Sequence, residues 1–281
     1  MISVDGRRVL LVHAHPDDES ITTGGTIAKY AAAGATVTVV TCTLGEEGEI
    51  IPPELAQLGA WAGDQLGGYR AGELAAAGAA LGWTAHRYLG GIGRWRDSGM
   101  AGTASAAHPR AFVNGEREEQ TEQLLTVLDE LRPEVVITYD AFGGYGHPDH
   151  VRAHEITMAA ASRASSVRRV LHTVASSDAT ARGLAELRRV GDLPWRVADD
   201  GELPVVADEH ITTTVDIAES LPAKFAALRA HATQVEVREP AFALSNGIAQ
   251  PVAASEYFVL AAGDGGTGNG ADEDIFGGLT P

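Results

Sequence analysis

Two short apolar segments, each followed directly by a loop dense in His and Asp, constrain the fold of this chain more than any other feature. Residues 9–12 are entirely apolar and run into His-Ala-His-Pro-Asp-Asp-Glu at residues 13–19. Residues 135–138 are mostly apolar and precede a loop that ends in Gly-His-Pro-Asp-His at residues 146–150. Short apolar runs are typical of strands buried on both faces of a parallel sheet. The sequence therefore predicts two buried strands whose ends carry potential metal ligands and bases.

The segment around the first of these strands predicts the fold class. Residues 19–33 have helix-forming composition in their second half and end at Gly34, and residues 36–43 are rich in β-branched side chains. Strand, helix and strand in about 40 residues form a βαβ unit, whose two strands run parallel. We predict an α/β fold with a mostly parallel, Rossmann-like sheet, helices on both faces and a small C-terminal subdomain.

The remaining periodicities predict further elements and a division of the chain. Helices are predicted over residues 56–81, broken at Gly67-Gly68, and over 116–131, 150–161 and 221–233, and strands over 86–89, 167–174, 211–215 and 257–261. Residues 90–107 read as a long irregular loop. We predict a catalytic α/β core over residues 1–174, a part over 175–262 that completes the fold and the substrate cleft, and a Gly- and Asp-rich tail over 263–281 that is poorly ordered.

Charge and hydrophobicity exclude several classes of partner. A formal net charge of −17 does not suit a phosphate backbone or an anionic membrane, which favour clustered Lys and Arg. No apolar run approaches the roughly 20 residues that span a bilayer, and the N-terminus lacks the pattern of a secretory signal. We expect a cytoplasmic protein with a small-molecule ligand and no nucleic-acid or membrane partner. Formation of a homo-oligomer is left open.

The two loops suit a divalent cation if the fold brings the strand ends together. His15 and Asp18 of the first loop and His150 of the second would give three ligands, which leaves an open position in a catalytic zinc site. A metal-bound water is acidified, and Asp17 could take its proton. Zinc is the expected metal, and Fe²⁺ suits the same donors. The alternative is a pair of capped turns, with Asp18 as the N-cap of the next helix.

Other candidate residues are interpreted as structural. His13 is expected to be a hydrogen-bonded core residue, and His154 to lie on a structural helix face. Cys42 is interpreted as a small core side chain, and a single cysteine excludes an intramolecular disulfide. The remaining histidines are interpreted as structural or solvated: His86, His108, His172, His210 and His231. Three acidic residues after the second strand are interpreted as solvated or helix-edge charges, with a contact behind the site left open: Glu46, Glu47 and Glu49.

Taken together, the two His- and Asp-rich loops resemble those of the PIG-L-like deacetylases, zinc enzymes that remove acetyl groups from substrates containing N-acetylglucosamine. The resemblance extends to residues 40–49, 65–70, 93–100, 231–235 and 243–246, so it covers most of the chain outside 175–210 and the tail. It implies hydrolysis of the N-acetyl group of an inositol glycoside, 1-D-myo-inosityl 2-acetamido-2-deoxy-α-D-glucopyranoside, to the free amine and acetate.

The resemblance also implies a role for each candidate residue. Matched metal and proton-transfer positions are His15, Asp18 and His150 as zinc ligands, Asp17 as the general base, His147 as the residue that steadies charge or protonates the departing amine, and Asp149 as its orienting partner. Tyr145 matches a tyrosine on a mobile loop that helps to hold the oxyanion. Substrate contacts are implied for Arg70, Asp97 and Met100. For Arg70 and Asp97 the alternative is a surface ion pair.

Two other functions compete with this one. A related amidase cleaves bulkier mycothiol S-conjugates with similar ligands and carries a lysine shortly after the Asp-Asp-Glu segment. This chain has Thr22 and Thr23 there, and its first lysine is Lys29. The other competitor is a sugar- or nucleotide-binding module without turnover. Such a module favours a Gly-rich first turn, whereas the carboxylates of this turn would repel phosphate without a metal.

Overall fold

Eleven strands and seven helices make up the part of the chain that the computed structural model describes, residues 4–265 and 272–280. The strands are β1 (Arg8–His13), β2 (Thr36–Thr41), β3 (Ala85–Tyr88), β4 (Val135–Thr138), β5 (Arg169–Val174), β6 (Arg196–Val197), β7 (Thr213–Asp216), β8 (Glu236–Arg238), β9 (Ala241–Ala243), β10 (Ile248–Pro251) and β11 (Ser255–Gly263). The helices are α1 (Asp18–Ala32), α2 (Gln65–Leu81), α3 (Arg117–Leu131), α4 (Gly143–Gly146), α5 (Pro148–Ala161), α6 (Ser177–Val190) and α7 (Leu221–Ala230).

The main sheet has seven strands in the order β3-β2-β1-β4-β5-β11-β7. Strands β1 to β5 pair in parallel, whereas β11 runs antiparallel to both β5 and β7. The chain moves outward from β1 to β2 and β3, and then returns to place β4 on the other side of β1. Strand order therefore reverses between β1 and β4, and open α/β sheets bind ligands beyond the carboxyl ends of strands at such a point. The predicted α/β fold is confirmed.

The central strands are apolar on both faces because helices cover both. On one face, Leu11 and Ile137 pack with Ile27 of α1 and with side chains of α2 and α7. On the other face, Leu10 and Val136 pack with side chains of α3 and α5. This double burial explains why the two apolar segments show no alternation of polar and apolar residues. No helix among the described residues is long and apolar enough to span a bilayer.

A smaller, four-stranded sheet in the order β6-β10-β9-β8 accounts for much of the C-terminal part. Leu187 of α6 packs there against Ala241 and Ala249, as a small subdomain would. The other elements after residue 174 return to the main body, because β7 and β11 extend the main sheet and α7 packs among α1 and α2. The proposed division of the chain at residue 174 stays a prediction.

The predicted helix over residues 56–81 is wrong in its first third and in its break. Residues 53–62 form short 3₁₀ turns, and α2 runs without interruption through Gly67 and Gly68. A Cβ on Gly67 would lie 2.8 Å from Cγ of Glu46 and 2.9 Å from Cβ of Leu44. This glycine therefore permits close approach of α2 to the loop after β2, rather than ending the helix.

Part of the tail is built into the fold. Ile275 and Phe276 are buried in the core beside the main sheet. The guanidinium of Arg169 donates to the carbonyl oxygen of Ile275 at 2.9 Å and to that of Gly277 at 2.7 Å. The expectation of a poorly ordered tail is therefore wrong for residues 272–280, whereas residues 266–271 and 281 lie outside the described part of the chain.

Candidate metal centre and cleft

The two His- and Asp-rich loops meet in a cleft of about 1050 Å³ beyond the carboxyl ends of β1 and β4. Nine of the predicted site residues line this cleft: His15, Asp17, Asp18, Arg70, Asp97, Met100, Tyr145, His147 and His150. The tenth, Asp149, is fully buried directly behind His15. The fold thus brings together every candidate residue, although these residues come from four separate stretches of the chain.

Three of these side chains present donor atoms to one common point. His15 Nδ1 lies 3.3 Å from Asp18 Oδ2 and 3.3 Å from His150 Nε2, and the latter two atoms are 3.4 Å apart. Ligand atoms around a tetrahedral cation with bonds of about 2.0 Å are separated by about 3.3 Å. The three atoms, His15 Nδ1, Asp18 Oδ2 and His150 Nε2, therefore have the spacing of one face of a tetrahedral site, and we call this set the three-donor point. They could hold a divalent cation and leave a fourth position for another ligand.

Contacts on the far side of each imidazole determine which nitrogen faces this point. His15 Nε2 lies 3.2 Å from a carboxylate oxygen of Asp149 and 3.5 Å from one of Asp97. His150 Nδ1 donates to the carbonyl oxygen of Gly143 at 3.2 Å. A proton on each of these two nitrogens leaves the lone pairs on His15 Nδ1 and His150 Nε2. Such outer contacts fix the tautomer and the orientation of metal-binding histidines.

The carboxylate of Asp18 is held in place from two sides. Its Oδ2 accepts the backbone N–H of His15 at 2.9 Å and the O–H of Tyr139 at 2.7 Å. Burial acts to raise the pKa of Asp18, but the positive charge that the imidazoles of His150 and His15 carry when protonated holds that pKa well below its usual range. Asp18 therefore contributes an anionic oxygen to the three-donor point. Tyr139 was not among the predicted site residues. The signal that could have identified it is its position directly after β4, at the strand end that carries the second His- and Asp-rich loop.

Asp17 occupies a backbone conformation that L-residues rarely adopt, with φ 111° and ψ −33°. Its Oδ2 lies 3.1 Å from Nη2 of Arg70. Burial raises the pKa of Asp17 to about 6, and the guanidinium of Arg70 opposes this rise. A divalent cation bound at Asp18 would also oppose this rise, because its positive charge lowers the pKa of Asp17. Asp17 is thus an unprotonated base at neutral pH.

His147 is the N-cap of α5, and its Nδ1 accepts the backbone N–H of Asp149 at 3.2 Å. A neutral ring therefore carries its proton on Nε2. Burial and repulsion from His15 and His150 lower the pKa of His147 to about 3, which keeps the ring neutral. Asp149 was predicted to orient His147, and it contacts the ring through this backbone N–H. The carboxylate of Asp149 contacts His15 instead.

Tyr145 lines the cleft from the segment that precedes His147. Its side chain is about half exposed, at 52%. Its ring centroid lies 5.0 Å from that of His150 and 6.1 Å from that of His147. The phenol therefore stands above the two imidazoles, on the glycine-rich segment that includes α4.

The three predicted substrate contacts differ in exposure. Met100 is 49% exposed, whereas Arg70 and Asp97 are both buried, so the surface-ion-pair alternative is wrong for these two residues. Arg70 donates to the carbonyl oxygen of Gly45 at 2.7 Å and also to that of Pro16. A Cβ on Gly45 would lie 2.1 Å from Nη1 of Arg70, so only glycine fits beside this guanidinium.

The contact behind the site that the sequence left open for the acidic residues after β2 is made by Glu46. Glu46 is buried and accepts the backbone N–H of Asp97 at 3.0 Å, so its interpretation as a solvated charge is wrong. Asp97 also accepts the N–H of Gly99 at 2.8 Å. These bonds fix the carboxylate of Asp97 near His15. The Gly-rich acidic composition of residues 45–49 hid this role, because such loops are usually solvated.

The residues that we interpreted as structural include two confirmed predictions. His13 is fully buried, and its Nε2 lies 3.0 Å from Oγ1 of Thr23. Cys42 is buried in the core cluster that also contains Leu10 and Val12. Neither side chain reaches the cleft lining.

Comparison with protein families decides which group of proteins this arrangement belongs to. Residues 10–161, more than half of the chain, match the PIG-L family, described as GlcNAc-PI de-N-acetylase. The chain belongs to the PIG-L family. The matched residues begin in β1 and end with α5, so they include both His- and Asp-rich loops and the switch point between β1 and β4.

Curated relatives extend the match over nearly the whole chain. A protein of Saccharomonospora viridis is 68% identical over 271 residues, which cover 96% of this chain and 100% of the relative. A protein of Actinosynnema mirum is 62% identical and covers 97% of each chain. Both relatives are named 1D-myo-inositol 2-acetamido-2-deoxy-alpha-D-glucopyranoside deacetylase. This PIG-L family member is therefore similar to a deacetylase along its full length.

Solved structures share the fold at low sequence identity. The N,N'-diacetylchitobiose deacetylase from Pyrococcus horikoshii aligns with a TM-score of 0.51 and 21% identity, over 81% of this chain and 70% of that one. The 4-carboxy-2-hydroxymuconate hydratase GalB from Pseudomonas putida aligns with a TM-score of 0.57 and 17% identity, over 92% and 97%. Because the same fold carries a hydratase, fold likeness does not select the reaction of this PIG-L family member, and the site must do so.

Proposed function

We propose that this PIG-L family member is a metal-dependent deacetylase that hydrolyses the N-acetyl group of 1-D-myo-inosityl 2-acetamido-2-deoxy-α-D-glucopyranoside to the free amine and acetate. The observation that carries the proposal is the three-donor point of His15, Asp18 and His150, with its spacing of 3.3–3.4 Å, beside the unligated carboxylate of Asp17. The names of the full-length relatives support the choice of substrate. The predicted cytoplasmic location belongs to the same proposal.

The three-donor point fits zinc best. Two imidazoles and one carboxylate with an open fourth position are typical of catalytic Zn²⁺, and Fe²⁺ suits the same donors. His15, Asp18 and His150 would hold the cation, which when bound would acidify a water molecule and polarise a carbonyl oxygen. The second contacts described above, from Asp149 to His15 and from Gly143 to His150, would hold the ligands in place.

Asp17 would carry the proton transfer, and His147 and Tyr145 would stabilise charge. Asp17 takes one proton of the attacking water, and the guanidinium of Arg70 keeps its carboxylate directed into the cleft. The same proton then passes from Asp17 to the departing amine nitrogen, which completes the free amine. His147 keeps its Nε2–H and steadies the developing charge through a hydrogen bond, because a neutral ring has no second proton to give. Tyr145 donates a hydrogen bond from its O–H towards the carbonyl oxygen as negative charge develops there. Acetic acid is the second product and loses its proton to solvent to give acetate.

Recognition of the sugar is assigned to Arg70, Asp97 and Met100. The guanidinium of Arg70 borders the cleft and is held in place by the carbonyl oxygens of Gly45 and Pro16 and by the carboxylate of Asp17. Asp97 borders the cleft with its charge held by backbone N–H groups, and charge-assisted hydrogen bonds to hydroxyls are strong. Met100 offers an exposed apolar surface beside them.

Acetate release and metal content, measured on the same purified protein, test this proposal. We expect about one metal ion per chain, acetate release from the inositol glycoside, and faster turnover of this glycoside than of a mycothiol S-conjugate. Activity lost to a chelator should return on addition of Zn²⁺ or Fe²⁺. Faster cleavage of the S-conjugate would assign the chain to the amidase alternative, and binding of the glycoside without turnover would support a binding module.

Asp149→Asn is expected to weaken metal affinity by about 10–100-fold, because it removes the negative charge beside the outer nitrogen of His15. Competition with a chromophoric chelator measures the change. Asp129→Asn is the matched control, since Asp129 is exposed on α3 and is not part of the cleft lining. Equal affinity in the two variants would show that the Asp149 carboxylate does not support His15.

A further inference from the structure

A fully buried carboxylate–imidazole pair lies behind Asp17 and takes no part in the reaction described above. Glu19 and His231 are each 0% exposed. Nε2 of His231 lies 2.8 Å from Oε1 of Glu19, and Oγ of Ser20 donates to the same oxygen. The other oxygen of Glu19, Oε2, accepts the backbone N–H of Asp17 at 3.0 Å. A chain of hydrogen bonds therefore runs from the residue after α7 to the peptide of the proposed base.

The conformation of Asp17 explains why this chain of bonds has a role beyond filling space. A non-glycine residue with φ 111° costs free energy and persists only where its surroundings impose it. The backbone carbonyl of Asp17 accepts the N–H groups of Ser20 and Ile21, both at 2.9 Å. Glu19 holds the N–H on the other side with a charged acceptor, which is stronger than a neutral one. The Asp17 peptide is thus held on both sides.

The free-energy cost of burying this ion pair also indicates a role other than stability. Replacing a buried ion pair by apolar side chains of similar volume is often neutral or stabilising, so stability alone does not explain a carboxylate at this position. Neither Glu19 nor His231 lines the cleft, so neither can contact a substrate there. An effect of the pair on turnover is therefore indirect, and Asp17 is the cleft residue whose backbone N–H Glu19 contacts.

We propose that Glu19 and His231 are positioning residues for the reaction: they impose the strained backbone of Asp17 and so aim its carboxylate at Arg70 and at the attacking water. This inference depends on the proposed role of Asp17 as the base. It assigns a function to Glu19, the last residue of the first motif, and to His231, which we had interpreted as merely structural or solvated. The role of Glu19 is to accept the Asp17 N–H, and the role of His231 is to hold the Glu19 side chain in place.

Two pairs of variants test the proposal on the metal-loaded enzyme. Glu19→Met removes the acceptor at similar volume, whereas Glu19→Gln keeps an acceptor oxygen for the Asp17 N–H. His231→Leu removes the donor to Glu19, whereas His231→Gln keeps an N–H at a similar reach. Because displacement of a reacting group by 1 Å can cost about 10²-fold, we expect Glu19→Met to lower kcat by about that factor and His231→Leu to lower it less. KM and metal content should change little, and each conservative variant should recover most of the rate.

A second buried carboxylate, which holds the same segment after α7, provides the structural control. Glu73 on α2 is buried and accepts the backbone N–H of Thr233 at 2.8 Å and the O–H of the same residue at 2.6 Å, and neither residue lines the cleft. Glu73→Gln disturbs the connection of α2 to the segment after α7 without touching the Asp17 peptide. If Glu19→Met lowers thermal stability as Glu73→Gln does and shows no additional loss of kcat, the Glu19–His231 pair is only structural and the proposal fails.

The remaining outcomes separate this inference from the proposed function. Loss of metal in Glu19→Met would overturn the positioning role, because the defect would then lie at Asp18. Full activity in Glu19→Met, with acetate release by the wild type and none by Asp17→Asn, would overturn this inference alone. No acetate release by the wild-type enzyme would overturn the proposed function itself.

Discussion

Asp17→Asn is expected to lower kcat for acetate release by about 10²–10⁴-fold, the range typical of a lost general base, while metal content stays at the wild-type level. The amide has almost the same shape as the carboxylate and accepts a hydrogen bond from Arg70, but it cannot take a proton from water. Asp17 also lies outside the three-donor point, so its substitution leaves all three proposed ligands in place. Steady-state kinetics and metal analysis of the same preparation measure both quantities.

Asp18→Asn is the matched control, since it changes the adjacent residue in the same way. Asp18 faces both imidazoles through Oδ2, so we expect this variant to lose metal together with activity. If Asp17→Asn lost metal to the same extent, Asp17 would be a ligand rather than a base. Undiminished turnover in Asp17→Asn would place the base elsewhere in the cleft.

The pH profile gives a second readout of the same residue. The pKa of Asp17 is raised to about 6 by burial, and only its deprotonated form can act as a base. The value of kcat/KM should therefore fall as the pH falls through this pKa, and the charge of a bound cation moves that limb to lower pH. The residual activity of Asp17→Asn should lack this acidic limb.

The position of the site could be predicted from the sequence because few residue patterns end buried strands with His and Asp. Parallel strands place their carboxyl ends at one edge of a sheet, so loops that follow neighbouring strands meet there. The residue pattern does not reveal the strand order of the sheet. In that order β4 lies directly beside β1. That adjacency brings His150 to His15 across 135 positions of the chain.

The contacts behind the site could not be predicted in the same way. Whether Asp149 supports His15 or His147 depends on a side-chain direction, and both histidines lie within reach of the same short turn. Glu46 reads as solvated because its neighbours are glycine and glutamate, yet its carboxylate is buried under Asp97. Strands β6, β8 and β9 have two or three residues each, which is too short for a periodicity to be visible.

Arg169→Met is expected to lower the free energy of unfolding by about 3–5 kcal/mol, the effect of breaking a buried charged network by removing one partner. The tail was predicted from its Gly- and Asp-rich composition, and that composition does not reveal the buried guanidinium that fixes it. Arg169 donates to the carbonyl oxygens of Asp264 at 2.9 Å, Ile275 at 2.9 Å and Gly277 at 2.7 Å. Methionine would leave these buried acceptors without their donor and would loosen residues 272–280.

Arg168→Met separates this effect from the general loss of a positive charge. Arg168 is the preceding residue and pairs with the side chain of Asp264 at an exposed site, at 2.9 Å from Nε. An exposed ion pair contributes less than about 1 kcal/mol, so this variant should unfold at nearly the wild-type urea concentration. Equal midpoints for the two variants would mean that the guanidinium of Arg169 does not hold the tail. A large difference, together with faster hydrogen exchange in residues 272–280 of Arg169→Met, would show that Arg169 is a principal anchor of the tail, beside the hydrogen bonds that Arg7 and Tyr30 make to it.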